Sequence, residues 1–244
     1  MPPSIHLLSH IAIILVRPKI PENIGAAARI CWNMGINRLI VVRDSLPERE
    51  LMAKMATHKA AHLIDNIEIF PDLPEALSDF TVVIGTTARR GRQRFVHQSP
   101  REMVGGLLPL LPNNRVAILF GPEDTGLTND DLKHCHMASA IPTADFSSIN
   151  LAQAVAIHCY ELYYGIIHAA KDMVPAPELA TSFELESMYS YLEESMLAIE
   201  FMEDAGRLHW MSNVRHLLSR IRLTSKDANI IRGICKKFLN HQRS

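Results

Sequence analysis

"RVAILFGPEDTGLTND", residues 115–130, sets an apolar run of strand length directly against a loop holding two glycines, a proline, two aspartates and a glutamate. A continuous apolar run of that kind suits a strand of a parallel sheet that is covered on both faces. In an open sheet of that type, ligands bind at the carboxyl ends of the strands, which is where this loop falls. Gly121 and Gly126 have the spacing of a phosphate-binding P-loop, but Leu127 stands where the lysine belongs, and Glu123 and Asp124 would repel phosphate. The loop must serve something other than a nucleoside triphosphate.

Working outward, similar runs recur: "IAIILV" (11–16), "RLIVV" (38–42), "IEIF" (67–70), "TVVIGT" (81–86) and the weaker "MASAI" (137–141). Helical stretches over 23–34, 47–61, 74–78, 100–108, 128–134 and 149–170 alternate with them, several opened by Asn, Asp or Thr caps or by an early proline. Six strands interleaved with helices predict a doubly wound α/β domain over residues 1–170. "KDMVPAPELATS" then reads as a linker over 171–181, followed by a helical region over 182–244. Charge separates within this tail: 172–204 carry nine acidic residues and no Lys or Arg, whereas 205–244 carry nine Lys/Arg and the single acid Asp227.

The totals exclude several classes. With 244 residues and 48% hydrophobic content the chain can fill a sizeable core, and a net charge of -1 gives no global attraction to nucleic acid. Cys31, Cys135, Cys159 and Cys235 are far apart, and no signal or transit pattern opens the sequence, so a reduced, cytoplasmic protein is expected. The most apolar segment, 149–170, is interrupted by Asn150, Gln153, His158 and Glu161, a poor membrane span. "HCH" at 134–136 lacks the separation of zinc ligands and has no second cluster, so no metal is expected.

Three loops carry more small and polar residues than packing requires: "RPKIPENIGAAARICWNMG" (17–35), the 121–130 loop, and "IPTADFSSINLAQAVA" (141–156). Each follows a strand and opens a helix, so the three can converge on one site. In the first, Gly25 and Ala26 to Ala28 permit another backbone to come close, and Arg29 stands alone among small residues. Plainer readings exist: Arg29 in a surface ion pair, and Ser147, Ser148 and Asn150 as caps of the helix they precede. No G-x-G-x-x-G follows the first strand, which argues against an NAD-dependent enzyme.

Taken together, N-x-G-A-x-x-R (23–29), F-G-P-E-x-x-G-L (120–127), and I-P (141–142) followed by S-x-N-L-x-x-A (148–154) resemble the SPOUT superfamily of RNA methyltransferases, in its TrmH/TrmJ-like 2'-O-ribose branch. The resemblance spans about residues 10–165 and continues into the tail. It implies a parallel sheet whose C-terminal segment threads a loop into a trefoil knot, a homodimer, and S-adenosylmethionine held by the knot loops. Carried over by motif, cofactor contacts fall on Thr86, Thr87, Ala88, Gly121, Ile141, Ser148, Ile149 and Asn150. The implied substrate is tRNA, at cytidine or uridine 32 of the anticodon loop. Another tRNA or ribosomal RNA nucleotide, or a non-catalytic knotted RNA-binding protein, are the alternatives.

The same resemblance makes Arg29 catalytic, with Ser148, Asn23 and Glu123 beside it. With a pKa of at least ~12.5, a neutral arginine near pH 7 costs on the order of 7 kcal/mol, so Arg29 is better read as holding phosphate and stabilising a developing alkoxide than as a base. Ser148 or a phosphate oxygen would then relay the proton. For RNA, "ARRGRQR" (88–94) supplies Arg89, Arg90, Arg92 and Arg94 next to the cofactor threonines, and the basic tail supplies Arg215 and Arg222. A solvated charge run, and pairing of the basic arm with the acidic one, are the competing readings.

Overall fold

The computed structural model describes residues 3–88, 97–169 and 174–242. Among these, seven parallel strands form one sheet in the order β3-β2-β1-β6-β4-β7-β5: β1 (Ile11–Val16), β2 (Arg38–Val42), β3 (Glu68–Phe70), β4 (Val82–Thr86), β5 (His97–Gln98), β6 (Val116–Phe120) and β7 (Met137–Ser139). The strand expectations hold within a residue or two, except that β5, two polar residues long, carries no apolar signature.

Why the runs are apolar on both sides is visible in the packing. Alternate residues of β1 face opposite layers: Ile11, Ile13 and Leu15 join the core beneath α1 (Pro21–Asn33), α2 (Arg49–Asp65), α4 (Pro100–Leu107) and α6 (Leu151–Ile167). Ala12, Ile14 and Val16 join a smaller core with Leu73, Ala76 and Leu77 of α3 (Leu73–Leu77) and Leu132 of α5 (Asn129–Leu132). β6, pairing with both β1 and β4, has all five residues buried. Strand order reverses beside β1, so the loops after β1 and β6 leave neighbouring strands at a topological switch point.

α1 packs closely on α2: a Cβ on Gly25 would meet the Met52 carbonyl oxygen at 1.8 Å, which is why that position has none. The predicted helix 47–61 is longer and broken, running to Asp65 with Thr57 at φ 60, ψ 161, a conformation helix periodicity cannot anticipate.

The tail comprises α7 (Ser182–Ala198), α8 (Arg207–Ser219) and α9 (Ser225–Gln242), around a core of Leu185, Met188, Tyr189, Met202, Met211 and Ala228. It begins bound to the sheet. Asn114 accepts from the Leu179 N–H (2.9 Å) and donates to the Pro177 carbonyl (3.0 Å), and the Ser182 N–H donates to the Phe80 carbonyl (2.8 Å). Part of the opposed charge is paired as the composition suggests: Arg215 with Glu186 and Arg207 with Glu193.

Candidate functional site

A cavity of about 290 Å³ opens at the carboxyl ends of β4, β6 and β7. Thr86, Thr87, Ala88, Gly121, Glu123, Ile141, Ser148 and Ile149 line it, so the second and third predicted loops meet there with the end of β4, whereas no residue of the first loop, 17–35, is part of the lining. Thr86 is held by its hydroxyl, which donates to the Leu119 carbonyl (2.8 Å), and the Thr87 N–H donates to the Ser139 carbonyl (3.0 Å).

Glu123 joins the first two loops. Its carboxylate accepts from Asn23 Nδ2 (2.7 Å) and from the backbone N–H groups of Lys19 (2.9 Å) and Ile20 (3.2 Å). Burial pushes its pKa up, but the hydrogen bonds from Asn23 and from those amides outweigh it and hold the group below the ordinary glutamate value. Two further ion pairs tie the loops: Lys19 to Asp124 and Arg17 to Asp131, each at 2.5 Å. Asp131 is buried, forms a capping box with Thr128 at the start of α5, and also titrates low: the rise from burial is outweighed by hydrogen bonds from Thr128 and Arg17.

Asn150 brings in the third loop. Its Nδ2 donates to Asn23 Oδ1 (3.1 Å), while its Oδ1 accepts from Ala152 N (2.9 Å) and Gln153 N (3.3 Å) at the first turn of α6. It is a helix cap that also fastens α6 to α1; it stands beside the cavity, outside its lining. Gly121 serves the loop itself. A Cβ there would sit 2.2 Å from Gly126 C and Leu127 N, and Gly126, at φ +65, makes the turn that folds back.

His158 and Ser139 also line the cavity, although the sequence reading assigned neither to the site. His158, on the buried face of α6, donates from Nδ1 to the Ala154 carbonyl (2.9 Å) and accepts at Nε2 from the Ser139 hydroxyl (3.0 Å), with Phe120 edge-on at 5.3 Å. Burial lowers its pKa to about 4, so it is a neutral wall at physiological pH. The available signal was its position in the helical period of Leu151, Val155, Cys159 and Leu162.

Other predicted residues lie elsewhere. Arg29 is exposed on α1 and does not reach the cavity; no described residue pairs with it. Arg89, Arg90, Arg92 and Arg94 lie outside the described residues. Arg215 is engaged, bidentate on Glu186 (2.5 and 2.6 Å) with its guanidinium 4.3 Å from the Tyr189 ring centre, whereas Arg222 is exposed between α8 and α9. In "HCH", His134 pairs with Glu186, the Cys135 thiol is buried, and His136 Nδ1 accepts from Val83 N (2.9 Å).

Residues 10–160 match the SpoU rRNA methylase family, and residues 183–244 match the C-terminal domain of the tRNA methyltransferase TrmJ. The chain belongs to the SpoU methylase family. Within that family it is 35% identical, over 93% of both chains, to the tRNA (cytidine/uridine/adenosine-2'-O-)-methyltransferase TrmJ of Pseudomonas aeruginosa strain UCBPP-PA14. The crystal structure of TrmJ from Z. mobilis ZM4 superimposes with a TM-score of 0.79 at 31% identity, covering 93% of this chain and 97% of that one. The SpoU methyltransferase AviRb of Streptomyces viridochromogenes, solved with the cofactor AdoMet, shares the fold at 21% identity with a TM-score of 0.51, covering 65% and 58%.

Proposed function

We propose that this chain transfers the methyl group of S-adenosylmethionine to the 2'-hydroxyl of a ribose in tRNA, at cytidine or uridine 32 of the anticodon loop. The observation that carries the proposal is the meeting of the second and third motif loops around one cavity, with the first motif loop fastened to both through the Asn23–Glu123 and Asn150–Asn23 hydrogen bonds. The lining fits the cofactor. It offers hydroxyls and backbone groups at Thr86, Thr87 and Ser148, an apolar patch at Ile141 and Ile149, a neutral imidazole, and carboxylates that tolerate a cation. When bound, S-adenosylmethionine supplies an electrophilic methyl group on a sulfonium, so no further activation of the donor is needed.

The protein's share is positioning and charge. Thr86, Thr87, Ala88, Gly121, Ile141, Ile149 and Asn150 belong to the cofactor site, with Glu123 and Asn23 holding the first loop against the second. Arg29 stabilises the developing alkoxide and the substrate phosphate, and Ser148 relays the 2'-OH proton. Because Arg29 lies away from the cavity of its own chain, the working site takes Arg29 from a second copy, which makes the enzyme a homodimer. The exposed faces of α1 and α6, bearing Arg29, Tyr160 and Tyr164, are suited to that contact. Residues 1–170 form the methyltransferase domain and 182–244 a tail for dimerisation and tRNA binding, with 171–181 between them. Arg89, Arg90, Arg92, Arg94 and Arg222 are the proposed RNA contacts; Arg215 contributes by fixing α8 to α7.

Incubating unmodified tRNA with the protein and S-adenosylmethionine, then mapping 2'-O-methyl groups by mass spectrometry, tests this reading. Methylation at nucleotide 32 that disappears with Arg29→Ala supports it; no methyl transfer to any tRNA overturns it.

A further inference from the structure

A second cavity, of about 230 Å³, lies where the tail meets the sheet, at the opposite end of β4 from the first. Val82, at the start of that strand, lines this one and Thr86, at its end, lines the other, which puts the two about 15 Å apart, the length of the strand. Leu110, Leu179, Leu218 and Leu223 complete apolar walls contributed by both the sheet domain and the tail.

Beside the hydroxyl residues Thr81, Tyr189 and Ser219, the nitrogen-bearing side chains of the lining are His136, Arg220 and Arg222. His136 Nδ1 accepts the Val83 N–H at 2.9 Å, which in the neutral ring leaves the proton on Nε2, and no described residue accepts from it. Arg220 and Arg222 stand exposed at the cavity mouth, in the turn between α8 and α9, and reach no carboxylate among the described residues. Other tail arginines are occupied: Arg207 by Glu193, Arg215 by Glu186, and Arg232 by Asn229 at 2.7 Å. No carboxylate lines the cavity.

Apolar walls around a slot, two forked guanidinium donors at its mouth and a single N–H donor in its wall suit a flat group that carries an anion. The geometry points to a nucleotide subsite at the junction of sheet and tail, taking the base of one nucleotide of the RNA substrate between the leucines and its phosphate on Arg220 and Arg222. That nucleotide is not the methylated one, since the cofactor cavity is a strand's length away. The inference rests on the proposed RNA substrate for the source of its ligand. It assigns the tail a defined grip on RNA where charge alone would give only a diffuse one, and it explains why these two arginines are left without acid partners in a tail rich in acids.

The test uses the full-length protein and tRNA without cofactor, so that it stands apart from turnover. Leu218→Trp fills the slot and leaves every charge in place; Arg220→Ala/Arg222→Ala removes the phosphate contact and leaves the slot open. Base burial of this kind is worth about ten-fold or more in affinity, so the Trp variant should weaken tRNA binding by at least that factor. The double variant should weaken it as well and flatten the slope of log affinity against log salt by about 0.7, the loss of one phosphate contact on single-stranded RNA. S-adenosylmethionine titrated into both variants should bind as it does to the parent, which separates local loss from unfolding. Failure of the parent itself to bind S-adenosylmethionine would count against the proposed reaction, not against the subsite. Leu218→Phe, a smaller insertion, replaces the Trp variant if the latter loses its unfolding transition. Unchanged tRNA affinity in a folded slot-filling variant overturns the subsite, even if free nucleoside monophosphates bind elsewhere.

Discussion

Replacing Glu123 by Gln is the most informative single perturbation of the proposed cofactor cavity, because the carboxylate joins two loops through three hydrogen bonds. Asn23 and Ile20 both donate to Oε1 while Lys19 N donates to Oε2, so a carboxamide that keeps one oxygen for the first pair turns its NH2 toward the Lys19 amide. One charge-assisted bond, worth about 1.5–3 kcal/mol, is lost, and two are demoted to neutral ones at roughly 1 kcal/mol each. Glu123 is half-buried, so water recovers part of this, and a net loss of about 2 kcal/mol is expected. For a chain of this size that lowers Tm by about 4–8 °C. The deficit should depend on pH with a definite sign. The folded pKa lies below the ordinary 4.5, so the stabilisation is complete above 4.5 and fades as pH falls through the lower folded value, where the parent carboxyl is itself neutral. Urea unfolding of both proteins in steps from about pH 7 to about pH 3.5 measures this. A difference that is absent at pH 7, or that grows on acidification, would refute the role given to this carboxylate.

Gly121→Ala forces a methyl to within 2.2 Å of the Gly126 and Leu127 backbone, so the loop must open; S-adenosylmethionine affinity by calorimetry should fall at least ~10-fold. His158 is 1% exposed with its pKa near 4 against 6.5, so stability is complete above about pH 6.5 and is lost as pH falls toward 4, by on the order of 3 kcal/mol. His158→Asn should lose much of that acid sensitivity while unfolding earlier at neutral pH, read from urea midpoints at about pH 7 and about pH 5. Arg29→Ala should leave cofactor titration unchanged and reduce methyl transfer to tRNA by at least ~100-fold, because the residue lies outside the cavity of its own chain and its proposed role, supplied from a second copy, is at the reacting hydroxyl.

How far the sequence led differs between fold and site, for physical reasons. β1, β2, β4 and β6 were legible because a strand covered on both faces must be apolar at every position, a local property. β5 was not, since His97 and Gln98 pair at the edge of the sheet through backbone groups that leave no mark on residue type. Thr57 breaks α2 at a residue with ordinary helix flanks. The three motif loops could be found in the sequence, yet what joins them could not. The contacts of Glu123 with Asn23 and of Lys19 with Asp124 span about a hundred positions and exist only once β1 and β6 are neighbours. The spacing of Gly121 and Gly126 in "GPEDTGLTND" does not say what they make room for; in the structure Gly121 gives room to the loop's own return. In the tail, opposed charge on the two arms announced pairing, but which arginines would be left over depends on how α7, α8 and α9 pack.

The central claim is that the cavity at the ends of β4, β6 and β7 delivers a methyl group to a ribose of tRNA. Mass-spectrometric mapping of 2'-O-methyl groups, on unmodified tRNA incubated with the protein and S-adenosylmethionine, tests it most directly. The account predicts a single new 2'-O-methyl group, on cytidine or uridine 32. A methyl group found on a base, or no methylation of tRNA by a protein that is folded and binds the cofactor, would contradict it.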